Sequence, residues 1–162
     1  MNKIKNNKGI FFKIDYNNNE QKYFLKDMGY GFGTFIQCDN AIIKENTIIN
    51  IGDSYLVFSF KLPNELINEN EFNNDSGLYI KIYNGQREYE PIIINKMNKL
   101  SYTIGRSDYT DITVDDKMLS RVHCYIYFDN INWIIKDGNQ KGVASTNGTW
   151  LFAYESIELT DG

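Results

Sequence analysis

Histidine occurs once in this chain, arginine three times, and proline and cysteine twice each. A lone histidine among scattered aspartates, with no EF-hand spacing, offers no ligand set for a metal, so neither a metal nor another cofactor is expected. Cys38 and Cys124 lie far apart and fit no CxxC or Cys/His spacing. That excludes a disulfide framework and points to reduced, buried thiols of an intracellular protein, cytoplasmic or nuclear. No apolar run approaches the roughly 20 residues of a membrane-spanning helix. The opening MNKIKNNKGI is polar and lysine-rich, so no secretory signal is expected, and the Asn-x-Ser/Thr matches at Asn74 and Asn147 are read as unused glycan sites. Positive charge is short as well, with a net charge of −4 at pH 7 and a pI of about 5.0. This argues against a broad basic footprint for nucleic acid or a membrane surface. Any bound anion must be held by local charge.

What is present is strand and turn. Isoleucine, tyrosine and phenylalanine recur in short runs separated by Asn, Asp and Gly, and no long stretch has a helical period. Strands are predicted at 10–16, 21–26, 34–37, 47–51, 55–60, 78–83, 89–94, 100–104, 112–114, 122–128, 132–136 and 149–152. Their spacing suits an all-β sandwich. The interval 61–76, KLPNELINENEFNNDS, has little periodicity and is the best linker, with room for a short helical turn at 64–69.

An internal repeat spans that linker. The segment from residue 10 parallels the one from residue 124: Lys26-Asp27 answers Lys136-Asp137, Gly33-Thr34-Phe35 answers Gly148-Thr149-Trp150, and Ile42 answers Ile157. Where the second copy has Ser120, Arg121 and His123, the first has Asn6, Asn7 and Gly9, and Thr146-Asn147 becomes Gly31-Phe32. The polar groups survive in one copy only. Residues 1–60 are thus read as a partial, degenerate module, 61–76 as a linker and 77–162 as the second module.

The stretch GRSDYTDITVDDKMLSRVHC, residues 105–124, holds the only histidine and two of the arginines. Of seventeen Lys and Arg residues fourteen are lysine, so arginine at both 106 and 121 signals a need for a planar guanidinium fork, which matches an oxyanion better than an ammonium does. The alternative is a surface salt bridge to Asp108, Asp111, Asp115 or Asp116. Catalysis fits poorly. On a strand at 122–128, His123 and Cys124 point to opposite faces and cannot pair as base and nucleophile, and nothing resembles a nucleophile elbow around Ser120. No catalytic residue is assigned and no enzyme is expected. Gly29-Tyr-Gly-Phe-Gly33 leads into a strand rather than a helix, which argues against a nucleotide loop. Trp133 and Trp150 are read as packing residues rather than a base-stacking platform.

Gly105-Arg106, Ser120-Arg121-x-His123, Asp137-Gly138 and Ser145-Thr146-Asn147-Gly148-Thr149-Trp150 occur in an order and at spacings that resemble a forkhead-associated (FHA) domain. That resemblance implies a β-sandwich that binds phosphothreonine peptides. It implies that Arg106 and Ser120 hold phosphate oxygens, that Arg121 adds charge or grips peptide backbone, and that Thr146 reaches the phosphate side. Asn147 would bond the ligand backbone, His123 would fasten the loop, and the loop 139–145 would set sequence preference. Residues 46–60, NTIINIGDSYLVFSF, resemble the family's closing strands, so the chain reads as part of a tandem array. Residues 42–60 could then complete the 78–162 module, in cis or by strand exchange or self-association through open sheet edges. The expected function is a phosphothreonine-dependent protein–protein interaction module in signalling. A phosphate-independent scaffolding domain is the alternative.

Overall fold

The computed structural model describes residues 10–61, 77–85 and 87–159. The turn expected at 64–69, nearly all of the linker, Asn74, the repeat positions Asn6, Asn7 and Gly9, and residues 160–162 lie outside them. Among the described residues there is no helix, and the chain is all-β. Two compact units are formed, one by Gln37–Leu151 and one by Met1–Ile36 with Phe152–Gly162.

One five-stranded sheet runs in the order β11 (Ile112–Thr113), β10 (Ser101–Gly105), β12 (Cys124–Phe128), β13 (Trp133–Asp137) and β4 (Asn40–Ile42). Its pairs are antiparallel except for β10 with β11. A second sheet runs β3 (Phe35–Gln37), β14 (Thr149–Phe152), β5 (Ile48–Ile51), β6 (Ser54–Ser59), β7 (Gly77–Asn84) and β8 (Arg87–Glu88), with β9 (Ile92–Asn95) also on β7. Period-two alternation puts Ile49 and Ile51 of β5 and Leu56 and Phe58 of β6 inward, facing a core that Ile104, Ile126 and Ile135 build from the first sheet.

Residues 40–59 pair with strands of the 77–152 segment: β4 with β13, β5 with β14 and β6 with β7. The sandwich is therefore closed in cis. Ile49, Ile51, Leu56 and Phe58 are each 0% exposed. Burying four such side chains contributes about 6–12 kcal/mol, comparable with the ~5–15 kcal/mol net stability of a whole domain. On that scale β5 and β6 are indispensable to this core.

In the smaller unit β1 (Phe12–Asn17), β2 (Lys22–Asp27) and β15 (Ile157–Leu159) form an antiparallel three-stranded sheet. Its buried residues, among those described, are Leu25, Asp27 and Ala153. Phe12, Ile14, Tyr16 and Tyr23 stay exposed. The sequence reading did not include β4, β8 or β15. Each is only two or three residues long with little alternation of its own, and its pairing defines it.

Candidate functional site

The site is built on three loops at the ends of β10, β12 and β14. Gly105 ends β10 where the chain crowds: a Cβ there would lie 2.2 Å from the Arg121 carbonyl oxygen. Only glycine permits that approach. It lets Arg106 N donate to Ser120 O (3.2 Å) and Ser107 N donate to Arg121 O (3.3 Å), so residues 106 and 120 are direct neighbours.

The second loop is held from beneath. Asp116 is 4% exposed. Its Oδ1 accepts from Met118 N (2.8 Å), and its Oδ2 accepts from Asp53 N (2.8 Å) and Ser54 Oγ (2.7 Å). His123, fully buried, locks the end of the loop. Ser120 N donates to Nδ1 at 3.2 Å, so the ring proton sits on Nε2, which donates to Gly148 O at 3.0 Å. Burial holds the imidazole below its ordinary pKa of 6.5, outweighing the Gly148 bond and the charges of Asp137 and Asp116, which act the other way. It is neutral at pH 7 and serves as a strut.

The third loop hangs on Asp137, which accepts from Ser145 N (2.9 Å), Ser145 Oγ (2.6 Å) and Thr149 Oγ1 (2.7 Å). Burial acts to raise its pKa, but the Ser145 and Thr149 bonds and the nearby His123 prevail and hold it below 3.8. Gly148, at φ 76°, turns the chain into β14. At the rim Thr146 N donates to Ser120 Oγ (3.0 Å) and the two hydroxyls lie 3.2 Å apart. Asn147 Nδ2 donates to Met118 O (2.7 Å), which turns its carboxamide oxygen away from that loop.

Ser120 and Thr146 are thus joined directly, Asn147 is tied to the same loop through the Met118 carbonyl, and Arg106 joins Ser120 through the backbone. Arg121 is brought in by its carbonyl alone. Both guanidinium groups are exposed and, among the described residues, form no ion pair or side-chain hydrogen bond. Three of the four aspartates offered as salt-bridge partners are engaged elsewhere, Asp111 with Lys99 and Thr103, Asp115 with Arg87, and Asp116 as above, and Asp108 pairs with neither arginine. What sequence reasoning missed is the tie from Asp116 to Ser54. The spacing of Asp116 ahead of Met118 is an Asx-turn signal that could have marked the residue as a loop support.

The thiols are not nucleophiles. Burial, aided by Asp137 and Asp39, raises Cys38 to about 11 and pushes fully buried Cys124 higher still, with Asp137 and Cys38 contributing there. No helix among the described residues is long and apolar enough to cross a membrane. The arrangement puts the Ser120 and Thr146 hydroxyls side by side, with the Arg106 and Arg121 backbones beside them and both guanidiniums uncommitted, residue types suited to an oxyanion. In comparison with known proteins, the FHA domain family matches residues 102–161, a span containing all five rim residues. No curated protein and no solved structure matches the chain.

Proposed function

We propose that this chain, whose residues 102–161 match the FHA domain family, is a recognition module rather than an enzyme and reads phosphothreonine in a partner protein. Arg106 supplies the fork and Ser120 the hydroxyl for the phosphate oxygens. Thr146 adds its hydroxyl from the facing loop, and Arg121 adds charge or holds peptide backbone. Asn147 contributes its carboxamide oxygen to a ligand N–H. The ligand is a phosphothreonine-containing segment of an intracellular protein, and the outcome is a phosphorylation-dependent complex. We also read the chain as part of a tandem array, with 1–60 a partial, degenerate module, 61–76 its linker and 77–162 the copy that carries the ligand residues, its sandwich completed by β4, β5 and β6.

The observation that carries this reading is the backbone adjacency of Arg106 and Ser120, with the Arg106 guanidinium uncommitted. A phosphate carries roughly −1.5 to −2 charges and three acceptor oxygens, and each charged hydrogen bond contributes about 1.5–3 kcal/mol. Two or three such bonds suffice for a weak, regulable complex.

The test is a titration of labelled degenerate peptides carrying phosphothreonine, phosphoserine or threonine, followed by fluorescence anisotropy. Phosphothreonine should bind best, ahead of phosphoserine by about 1–3 kcal/mol if a pocket holds the methyl, and Arg106→Ala should abolish binding. Equal affinity for the unphosphorylated peptide would support a phosphate-independent scaffold instead.

A further inference from the structure

The same bonds recur in the two units with the copies exchanged. In the larger unit Cys38 N donates to Thr149 O at 2.9 Å; in the smaller, Ala153 N donates to Thr34 O at 2.9 Å. Aligning Gly33-Thr34-Phe35 with Gly148-Thr149-Trp150 makes Thr34 the counterpart of Thr149 and Cys38 that of Ala153. The two bonds are then one bond with its partners swapped. The glycines behave alike: a Cβ on Gly148 would meet Gln37 at 2.6 Å, and one on Gly33 would meet its counterpart Phe152 at 2.8 Å. The sheets repeat the pattern, β4 of the first copy pairing with β13 of the second and β15 of the second with β2 of the first. Each copy therefore sends the chain beyond β3 or β14 into the unit begun by the other.

This crossover reaches the rim. The β5–β6 hairpin belongs to the first copy, and its Gly52–Ser54 turn lies against the loop that leads to Ser120. Gly52, at φ 57°, leaves no room for a Cβ beside Leu119 Cδ1 (2.8 Å) and Met118 Cβ (2.9 Å). Ser54, 0% exposed, accepts from Asn84 Nδ2 (2.8 Å) while donating to Asp116, so its hydroxyl direction is set on both sides. Asp116 in turn orients Met118, whose carbonyl holds Asn147. The chain of contacts from Ser54 to Asn147 is continuous.

We propose that the first copy sets the second copy's ligand rim through the Ser54–Asp116 tie, making Ser54 and Asp116 positioning residues for recognition by Arg106, Ser120 and Asn147. The recognition part rests on the phosphothreonine reading above. A buried carboxylate with several directed donors has one geometry, whereas a loop held only by its own turns has several. Loss of the tie lets Ser120 and Met118 sample other positions without removing any ligand contact.

The test measures Ser54→Ala and Asp116→Asn in the full chain. With the fold retained by circular dichroism, each should weaken phosphothreonine-peptide binding by about two- to thirtyfold and shift the amide resonances of Ser120 and Thr146. In a double-mutant cycle Ser54→Ala should cost less on a Ser120→Ala background, a coupling that general destabilisation does not produce. Unchanged affinity in both folded variants, while Arg106→Ala still abolishes binding, would overturn this inference and leave the phosphothreonine reading standing. Should Arg106→Ala leave binding intact, that reading fails, and the Ser120 and Thr146 resonances alone decide the tie: unmoved signals refute it. Should both variants unfold, hydrogen exchange on the unaltered chain decides. Protection of the Met118 and Leu119 amides comparable with Ile49 supports the tie, and exchange at the free rate refutes it.

Discussion

His123 has two roles that pull its chemistry the same way. Its Nδ1 must accept from Ser120 N and its Nε2–H must donate to Gly148 O, so only the neutral ring joins the two loops. Burial favours the same form. The folded pKa lies below the unfolded value of 6.5, so the unfolded chain binds the extra proton more readily. The stability this contributes is fully present above pH 6.5 and is lost as pH falls from there toward the lower folded pKa. The chain has one histidine, which makes the measurement clean. Urea midpoints should decline between pH 7.5 and 5.5, and His123→Asn should flatten that slope while lowering stability throughout. An unchanged slope in the variant would assign the titration to another group. Asp137, held low by its donors, contributes stability that is lost only as pH falls below 3.8.

At the scale of strands, the division between legible and hidden follows physics. The alternation in INI and SYLVFS is strong because each strand buries one face, and β5 and β6 fall within two residues of where sequence reasoning puts them. The three-residue strands β4 and β15 are defined by partners far away in the sequence, β13 and β2, information that no local window holds. At the rim the signal was compositional: arginine in a lysine-using chain, and a serine and histidine in fixed order. The support beneath it was invisible because Ser54 and Asp116 are 62 positions apart and each is an ordinary turn residue locally. Packing gives the next prediction. Leu56→Ala leaves a cavity in a core with no spare exposure and should cost about 2–5 kcal/mol. Because Cys124 is buried in that same cluster, its labelling by a thiol reagent should accelerate in step with the loss of thermal stability. Labelling at the unaltered rate would mean the two sheets do not share one core.

Taken as a whole chain, the compact units do not follow the division that the sequence suggests. Sequence divides the molecule at 61–76, but the larger unit takes β4, β5 and β6 from one side of that interval and β7 to β14 from the other. Neither side alone holds both halves of the core formed by Ile49, Leu56 and Phe58 with Ile104, Ile126 and Ile135. An open sandwich exposes ladder groups and apolar faces, which drives association with whatever supplies the missing strands. Residues 1–66 and 67–162, produced separately, should therefore each lack a cooperative thermal transition and regain one when mixed, with an apparent midpoint that rises with concentration because folding has become bimolecular. Phosphothreonine-peptide binding should return in the same mixture and in neither fragment. A cooperative transition in 67–162 alone, unaffected by adding 1–66, would show that this segment closes its own sandwich and that β4, β5 and β6 are dispensable to it.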